Sequence, residues 1–276
     1  MCYITKLKGG YFMSNVIYYF SGTGNSLAVA RKIANQLGET TLLKIHANQD
    51  EIDTTPYESV GVVFPVYYYQ PPLFVENFVK KLIFKKEQYK FGVVTYGSSR
   101  GLSLEYLRNQ IELMGYILDG EFSVIMPGNS ITQYGALPNA YSNLLYRKSK
   151  KNIQNIVDKV GQKRSTDTLG PRIFERIVLS NKKLGEKTIS SRQGFAVLDA
   201  GFHFNENCNS CGICVNVCPV QNIHLENGHP VWEHKCEQCT ACIQWCPNNS
   251  INFHDKTQKR KRYHHSEVTL KDMLSI

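Results

Sequence analysis

Val16-Ile17-Tyr18-Tyr19-Phe20-Ser21-Gly22-Thr23-Gly24-Asn25-Ser26 decides how the larger part of this chain folds. Five consecutive β-branched or aromatic residues read as a buried strand. The hydroxyl- and glycine-rich turn after them opens a helix. Leu27, Ala30, Ile33, Ala34 and Leu37 lie on one face of it, and Gly38 stops it. Hydroxyls and backbone N–H groups at such a helix start can cradle a phosphate at its positive end, with glycines allowing close approach. No Gly-Lys-Ser/Thr follows, so this is not a nucleoside-triphosphate loop, and the dinucleotide spacing is missing as well.

Downstream, strands and helical patterns alternate. Strands are expected near Thr41–Ile45 and over Ser59–Val66, Phe91–Tyr96 and Phe122–Met126. Pro71-Pro72 opens a helix with Phe74, Val75, Phe78, Val79 and Leu82 inward. A second helix turns Leu104, Leu107, Ile111 and Met114 inward, and a third, Leu144–Val160, turns Leu145, Ile153, Ile156 and Val160 inward. Such alternation implies βαβ units and an α/β doubly wound five-stranded parallel sheet.

Doubly wound sheets bind ligands at the carboxyl ends of their strands. There stand Tyr67-Tyr68-Tyr69, Tyr96-Gly97-Ser98-Ser99 and Met126-Pro127-Gly128-Asn129. The Ser21–Ser26 loop resembles the T/S-x-T/S-G-N-T/S phosphate loop of flavodoxins, and the resemblance covers about residues 15–160. It implies FMN on Ser21, Gly22, Thr23, Gly24, Asn25 and Ser26, with Tyr67, Tyr96 and Gly97 flanking the flavin ring. The competing reading of the tyrosine triplet is ordinary packing.

Eight of the nine cysteines fall between Cys208 and Cys246. Cys208-Asn-Ser-Cys211-Gly-Ile-Cys214-Val-Asn-Val-Cys218-Pro219 is matched by Cys236-Glu-Gln-Cys239-Thr-Ala-Cys242-Ile-Gln-Trp-Cys246-Pro247. Three closely spaced thiolates can wrap one iron–sulfur cube, and the fourth, before proline, reaches the other cube. One [4Fe–4S] cluster would then use Cys208, Cys211, Cys214 and Cys246, and the other Cys236, Cys239, Cys242 and Cys218. Zinc needs only two C-x-x-C pairs and leaves the third cysteine of each triplet and the Cys-Pro pairs unexplained. Between the repeats, Ile223–Trp232 reads as a hairpin turning at Asn227-Gly228, with His224, His229 and His234 as solvated or packing histidines. Residues 202–252 resemble the bacterial two-cluster ferredoxins in all eight ligand positions.

The 276 residues are 42% apolar and 20% charged, with a mean hydropathy of −0.31, which suits a folded chain rather than a disordered one. The N-terminus lacks the apolar run of a secretory signal, and no apolar stretch is long enough to span a membrane. A cytoplasmic protein is therefore expected. Lys8-Gly9-Gly10 is what a ribosome-binding sequence would encode, so Met13 is read as the natural start, residues 1–12 as a leader and Cys2 as dispensable; the competing reading is a genuine but frayed N-terminal extension. The expected organisation is a flavodoxin-like FMN domain over 13–165, a helical connector over 166–200, a small α+β ferredoxin-like domain over 201–254 and a basic tail over 255–276.

This order resembles the bacterial flavodoxin–ferredoxin fusion family. The resemblance implies an electron-transfer protein passing electrons between two [4Fe–4S] clusters and FMN, with no catalytic residue. Two alternatives stand beside it: a flavin-dependent reductase of a small acceptor, and a cluster-only carrier that has lost FMN. With 32 Lys and Arg against 23 Asp and Glu, the chain carries +9 where simple flavodoxins and ferredoxins are usually acidic. Arg147-Lys148-Ser149-Lys150-Lys151 and Lys259-Arg260-Lys261-Arg262 are its densest basic runs. They are read as a solvated face or as a dock for an acidic redox partner. Aromatic interleaving that would point to nucleic acid is missing from both.

Overall fold

The computed structural model describes residues 13–47, 49–171, 173–180 and 197–274; the leader reading and Cys2 lie outside them. Along the chain come β1 (Met13–Tyr19), α1 (Asn25–Leu37), β2 (Thr40–Lys44), β3 (Ile52–Asp53), β4 (Tyr57–Pro65), α2 (Leu73–Val79), β5 (Leu82–Ile83), β6 (Tyr89–Tyr96), α3 (Ser103–Leu113), β7 (Gly120–Ile125) and α4 (Asn139–Gly161). Five strands form one parallel sheet in the order β2-β1-β4-β6-β7. The reversal between β1 and β4 is the switch point at which this architecture places ligands.

Side-chain alternation sorts the core into two layers. Ile17 and Tyr19 of β1 face α1 and α4, packing with Leu27, Ile33, Ile153 and Ile156. Val16 and Tyr18 face α2 and α3, packing with Phe74, Phe78, Leu104, Leu107 and Ile111. Each such side chain contributes roughly 1.5–3 kcal/mol by leaving water. β6 is buried along its whole length because helices cover both faces.

Several boundaries differ from expectation, β1, β4 and β6 each starting two or three residues early. Leu82 is buried, but on β5 rather than on α2, because the chain leaves the helix at Lys80 and pairs alongside β3. β7 begins at Gly120, since pairing with β6 continues back to Phe91 opposite Gly120. α4 starts at Asn139, where Pro138 caps it, five residues before the apolar pattern shows.

A connector helix, α5 (Ile173–Ser180), precedes the small domain. There β8 (Phe202–Phe204) pairs antiparallel with β11 (Ile251–Phe253), and β9 (Ile223–Glu226) with β10 (His229–Trp232). Asn227 (φ 50°) and Gly228 (φ 81°) make the tight turn that the Asn-Gly pair predicts. Each cysteine triplet ends in one helical turn, α6 (Ile213–Asn216) and α7 (Ala241–Gln244). The duplication is visible in the backbone: Ser210 and Gln238, Gly212 and Thr240, Gln221 and Asn249 are all left-handed at matching positions. For the non-glycine residues this costs roughly 1–2 kcal/mol each, which the folded ligand loops must offset.

The last stretch is no free tail. Residues 263–274, ending in α8 (Leu270–Leu274), lie across the first domain with Tyr263, His265, Val268 and Met273 buried. Arg31 pairs with Asp272 at 2.8 Å, Lys32 with Glu267 at 2.7 Å, and the Lys44 ammonium donates to the Met273 carbonyl at 2.7 Å. Val217, Ala241, Trp245, Val268 and Met273 join the α1/α4 layer, so both domains and the strap share one hydrophobic core.

Candidate cofactor sites

The main cavity, about 250 Å³, opens at the carboxyl ends of β1, β4, β6 and β7. Ser21, Gly22, Thr23, Asn25 and Ser26 line it together with Tyr67, Tyr96 and Gly97. Gly24 does not. Its φ of 94° turns the chain into α1, and a Cβ there would strike Val268 and His265 of the strap. The loop is braced from within: Ser21 Oγ accepts from the Gly24 N–H at 3.0 Å, and the Ser26 and Thr95 hydroxyls share a hydrogen bond of 2.7 Å. Asn129 Nδ2 donates to Thr23 Oγ1, and Asn25 Nδ2 donates to the Pro127 carbonyl at 3.0 Å. The loop after β7 thus closes onto the loop after β1.

Tyr67, Tyr68 and Tyr69 all line the cavity. Tyr67 and Gln70 exchange backbone hydrogen bonds of 2.9 and 3.0 Å, which forces Tyr68 (φ 49°) and Tyr69 (φ 67°) into left-handed conformations. Two successive bulky residues in that region are a strained arrangement of the kind concentrated at ligand clamps. Leu102 N–H holds the turn from below, donating to the Tyr69 carbonyl at 2.7 Å. Burial pushes the Tyr67 phenol well above its ordinary pKa, with Cys239 next in effect, so it stays a neutral donor. Behind Ser98-Ser99, Glu175 of α5 accepts from Ser99 Oγ at 2.6 Å and ties the connector to this wall.

The remaining wall is Gln238-Cys239-Thr240, which belongs to the small domain. Gly22 makes the approach possible, because a Cβ there would lie 2.9 Å from the Cys239 carbonyl oxygen and from the Tyr67 hydroxyl. Trp245 Nε1 donates to the Gly22 carbonyl at 2.9 Å, and Gln244 Nε2 to the Asn129 carbonyl at 3.0 Å. Glu237 accepts from the Leu73 and Phe74 N–H groups, both at 3.0 Å, capping α2 across the domain boundary. Sequence reading missed this wall. The one signal was Trp245, an indole where the first repeat has Val217.

Two small cavities separate the eight cysteines. Cys208, Cys211, Cys214 and Cys246 line one, and Cys218, Cys236, Cys239 and Cys242 line the other. All eight are free thiols. Backbone N–H groups already aim at sulfur: Asn222 to Cys218 at 3.2 Å, Gln238 to Cys236 at 3.2 Å and Ser250 to Cys246 at 3.3 Å. Burial, with neighbouring cysteines, holds the Cys239 and Cys242 thiols well above their ordinary pKa, and burial raises Cys236 to about 12. Cys246 goes the other way: burial is outweighed by hydrogen bonds from Ser250 and nearby backbone. Such a set suits a cationic group that supplies the charge needed to ionise the buried thiols.

The histidines of the hairpin region sit outside both cavities. His224 pairs with Glu233 at 2.9 Å, His229 stacks on Phe204 at 4.6 Å, and His234 Nδ1 lies 2.6 Å from Asp199. The basic runs divide by role. Arg147, Lys148, Lys150 and Lys151 are exposed on α4, as are Lys259 and Lys261. Arg260 instead donates to the Ile131 carbonyl at 2.7 Å and Arg262 to the Ile251 carbonyl at 2.9 Å, so the arginines anchor the strap. The Tyr146 and Tyr263 hydroxyls, 2.8 Å apart, bring the two runs onto one flank of the molecule.

Residues 16–111 match the flavodoxin domain family and residues 207–251 the 4Fe-4S dicluster domain family. Among solved structures, the chain is similar to a flavoprotein in complex with FMN from Lactobacillus acidophilus at 13% identity and TM-score 0.35, over 40% of this chain and 93% of that one. It is similar to a flavodoxin from the domain Archaea at 19% identity and TM-score 0.34, over 54% and 99%. A third is Megasphaera elsdenii flavodoxin, at 16% identity and TM-score 0.31, over 40% and 85%. No curated protein matches. A flavodoxin domain and an iron–sulfur dicluster domain in one chain are the parts of an electron-transfer protein. Among the described residues, no helix is long and apolar enough to cross a membrane.

Proposed function

We propose that this chain, a flavodoxin domain followed by a 4Fe-4S dicluster domain in the order of the flavodoxin–ferredoxin fusions, is a cytoplasmic carrier that moves electrons between two [4Fe–4S] clusters and FMN. The observation that carries the reading is the shared wall: Cys239 and Thr240 line both the main cavity and one cysteine-lined cavity. When bound, the clusters supply one-electron chemistry and the flavin one- or two-electron chemistry.

The chain's own part is positional. Cys208, Cys211, Cys214 and Cys246 hold the outer cluster; Cys218, Cys236, Cys239 and Cys242 hold the inner one. Ser21, Gly22, Thr23, Gly24, Asn25 and Ser26 form the loop that receives the FMN phosphate, Gly24 by its turn rather than by contact. Tyr67, Tyr96 and Gly97 wall the ring. The hydrogen bonds to the Cys218, Cys236 and Cys246 sulfurs favour the thiolate and tune potential. The exposed lysines of α4, with Lys259 and Lys261, steer an acidic redox partner, since fields of this kind act on encounter rate.

Anaerobic protein should contain about eight irons and one FMN per chain. Thr23→Ala with Ser26→Ala should weaken FMN roughly ten-fold or more with iron unchanged, because bonds to a charged group are worth about 1.5–3 kcal/mol. Zinc in place of iron sinks the cluster reading; iron without flavin leaves the cluster-only carrier. Saturable turnover of an added quinone would favour the reductase.

A further inference from the structure

Resting on that reading, we propose that Trp245, Gln244 and Tyr263 are positioning residues for the phosphate loop, so that flavin retention and cluster assembly are energetically coupled. Three of the loop's six residues are held by groups from beyond residue 238. The Trp245 indole N–H donates to the Gly22 carbonyl at 2.9 Å. The His265 N–H donates to the Thr23 carbonyl at 3.0 Å. The Tyr263 hydroxyl donates to Asn25 Oδ1 at 2.6 Å.

Gln244 links these contacts. It is 1% exposed, donates to the Asn129 carbonyl at 3.0 Å and accepts from the Tyr263 N–H at 2.8 Å. Asn129 in turn donates to Thr23 Oγ1, so one side chain reaches the loop by two routes. Trp245 is fixed as well: its ring stacks on His264 at 3.8 Å with 9° between planes.

The segment carrying Gln244 and Trp245 runs from Cys242 to Cys246, whose thiols line different cysteine cavities. Its only regular element, α7, is four residues long, too short to persist without tertiary support. Ligation therefore pins both ends of the segment, and its middle pins the phosphate loop. Whatever cluster binding contributes to ordering the segment is felt by flavin, and by linkage the reverse holds to the same factor.

The test uses anaerobic holoprotein stripped of FMN and retitrated by flavin fluorescence quenching. Trp245→Phe keeps an aromatic ring against His264 and removes the indole N–H together with the five-membered ring, so a guanidinium titration of the same variant separates lost packing from the lost hydrogen bond. Its FMN dissociation constant should rise roughly five- to thirty-fold, the loss of a hydrogen bond worth about 1–2 kcal/mol, at unchanged iron content. In the second readout, iron retained against a competing chelator should rise with saturating FMN in the native chain and rise less in Trp245→Phe, a shift that a merely structural role would not produce. If Trp245→Phe loses iron, Tyr263→Phe replaces it: that change removes the hydroxyl shared with Asn25 and Tyr146 and is expected to shift FMN binding the same way, whereas Tyr146→Phe, which leaves the Asn25 bond, is not. A native dissociation constant in the variant, or iron retention indifferent to FMN in the native chain, overturns the coupling while leaving the flavin reading intact. Failure of the native chain to bind FMN at all overturns both.

Discussion

The two cysteine repeats share one ligand pattern and one backbone path, yet their surroundings are opposite. In the first, Cys211 is exposed, and Leu225, 39% exposed, lies at the cavity's edge. In the second, the matching Cys239 is only partly exposed and faces the main cavity, while Cys214 and Cys242 are equally buried. The residues between the last two cysteines differ accordingly: Val215-Asn216-Val217 against Ile243-Gln244-Trp245. Identical ligand spacing builds two equivalent cages. The spacer residues differ in what they touch: Gln244 and Trp245 reach the loops of the first domain, so the second group of cysteines stands beside the main cavity. On the proposed reading the outer cage would meet a partner and the inner one would relay.

The harshest way to break this comparison is to remove one ligand from each cage. Cys239→Ser and Cys211→Ser should each lose about four irons, one cube. Only Cys239→Ser should also release flavin, seen as free FMN on anaerobic gel filtration, because its loop walls the main cavity that the proposed function gives to flavin. Equal flavin loss in both variants would mean that the two cages are not differently placed.

A smaller effect comes from the strap that ties the inner repeat to the loop. Burial lowers the His265 pKa from 6.5 to about 4, with Glu267 opposing and Lys32 adding, while Tyr146 packs on the ring at 4.5 Å with 53° between planes. The unfolded chain therefore takes up a proton that the folded chain refuses. Stability is full above pH 6.5 and declines as pH falls towards 4, by roughly 3 kcal/mol at most. His265→Phe, which keeps an aromatic ring against Tyr146, should flatten that slope. Guanidinium titrations at pH 7 and pH 5 would show it, and a native-like slope in the variant would place the acid sensitivity elsewhere.

The mildest expected change lies in the exposed lysines of the two basic runs. Converting Lys148, Lys151, Lys259 and Lys261 to glutamine should slow association with an acidic ferredoxin several-fold at low salt and little at high salt, since exposed charges are screened beyond about 8–10 Å. Arg260 and Arg262 are left in place, because replacing them would confound steering with loss of the strap. Stopped-flow rates unaffected at low ionic strength would return these lysines to a solvated face.

Much of this was legible in the chain. Strand runs such as Val16–Phe20 show because both faces of a parallel sheet are covered, leaving no polar positions to interrupt them. The crossed cysteine grouping shows because three thiols two residues apart cannot spread over two cages. Boundaries were less legible: Leu82 continues the helical spacing of α2 but is claimed by pairing with β3, a contact that no local pattern announces. Gly24 was read as touching the ligand, whereas its role is the left-handed turn under Val268.

The sequence by itself determined the parts: a doubly wound sheet with a hydroxyl–glycine loop at its first switch, and a duplicated cage of eight thiols. Local spacing suffices for these, because each is built from residues within one loop or one turn. Only the tertiary structure decided which cage stands beside the main cavity, that Gln238-Cys239-Thr240 walls it, and that residues 263–274 strap the loop rather than trail in solvent. Those outcomes depend on single contacts between residues more than a hundred positions apart, such as Trp245 with Gly22 and Tyr263 with Asn25. Burial makes each of them count, and burial is a property of the assembled core rather than of any stretch of chain.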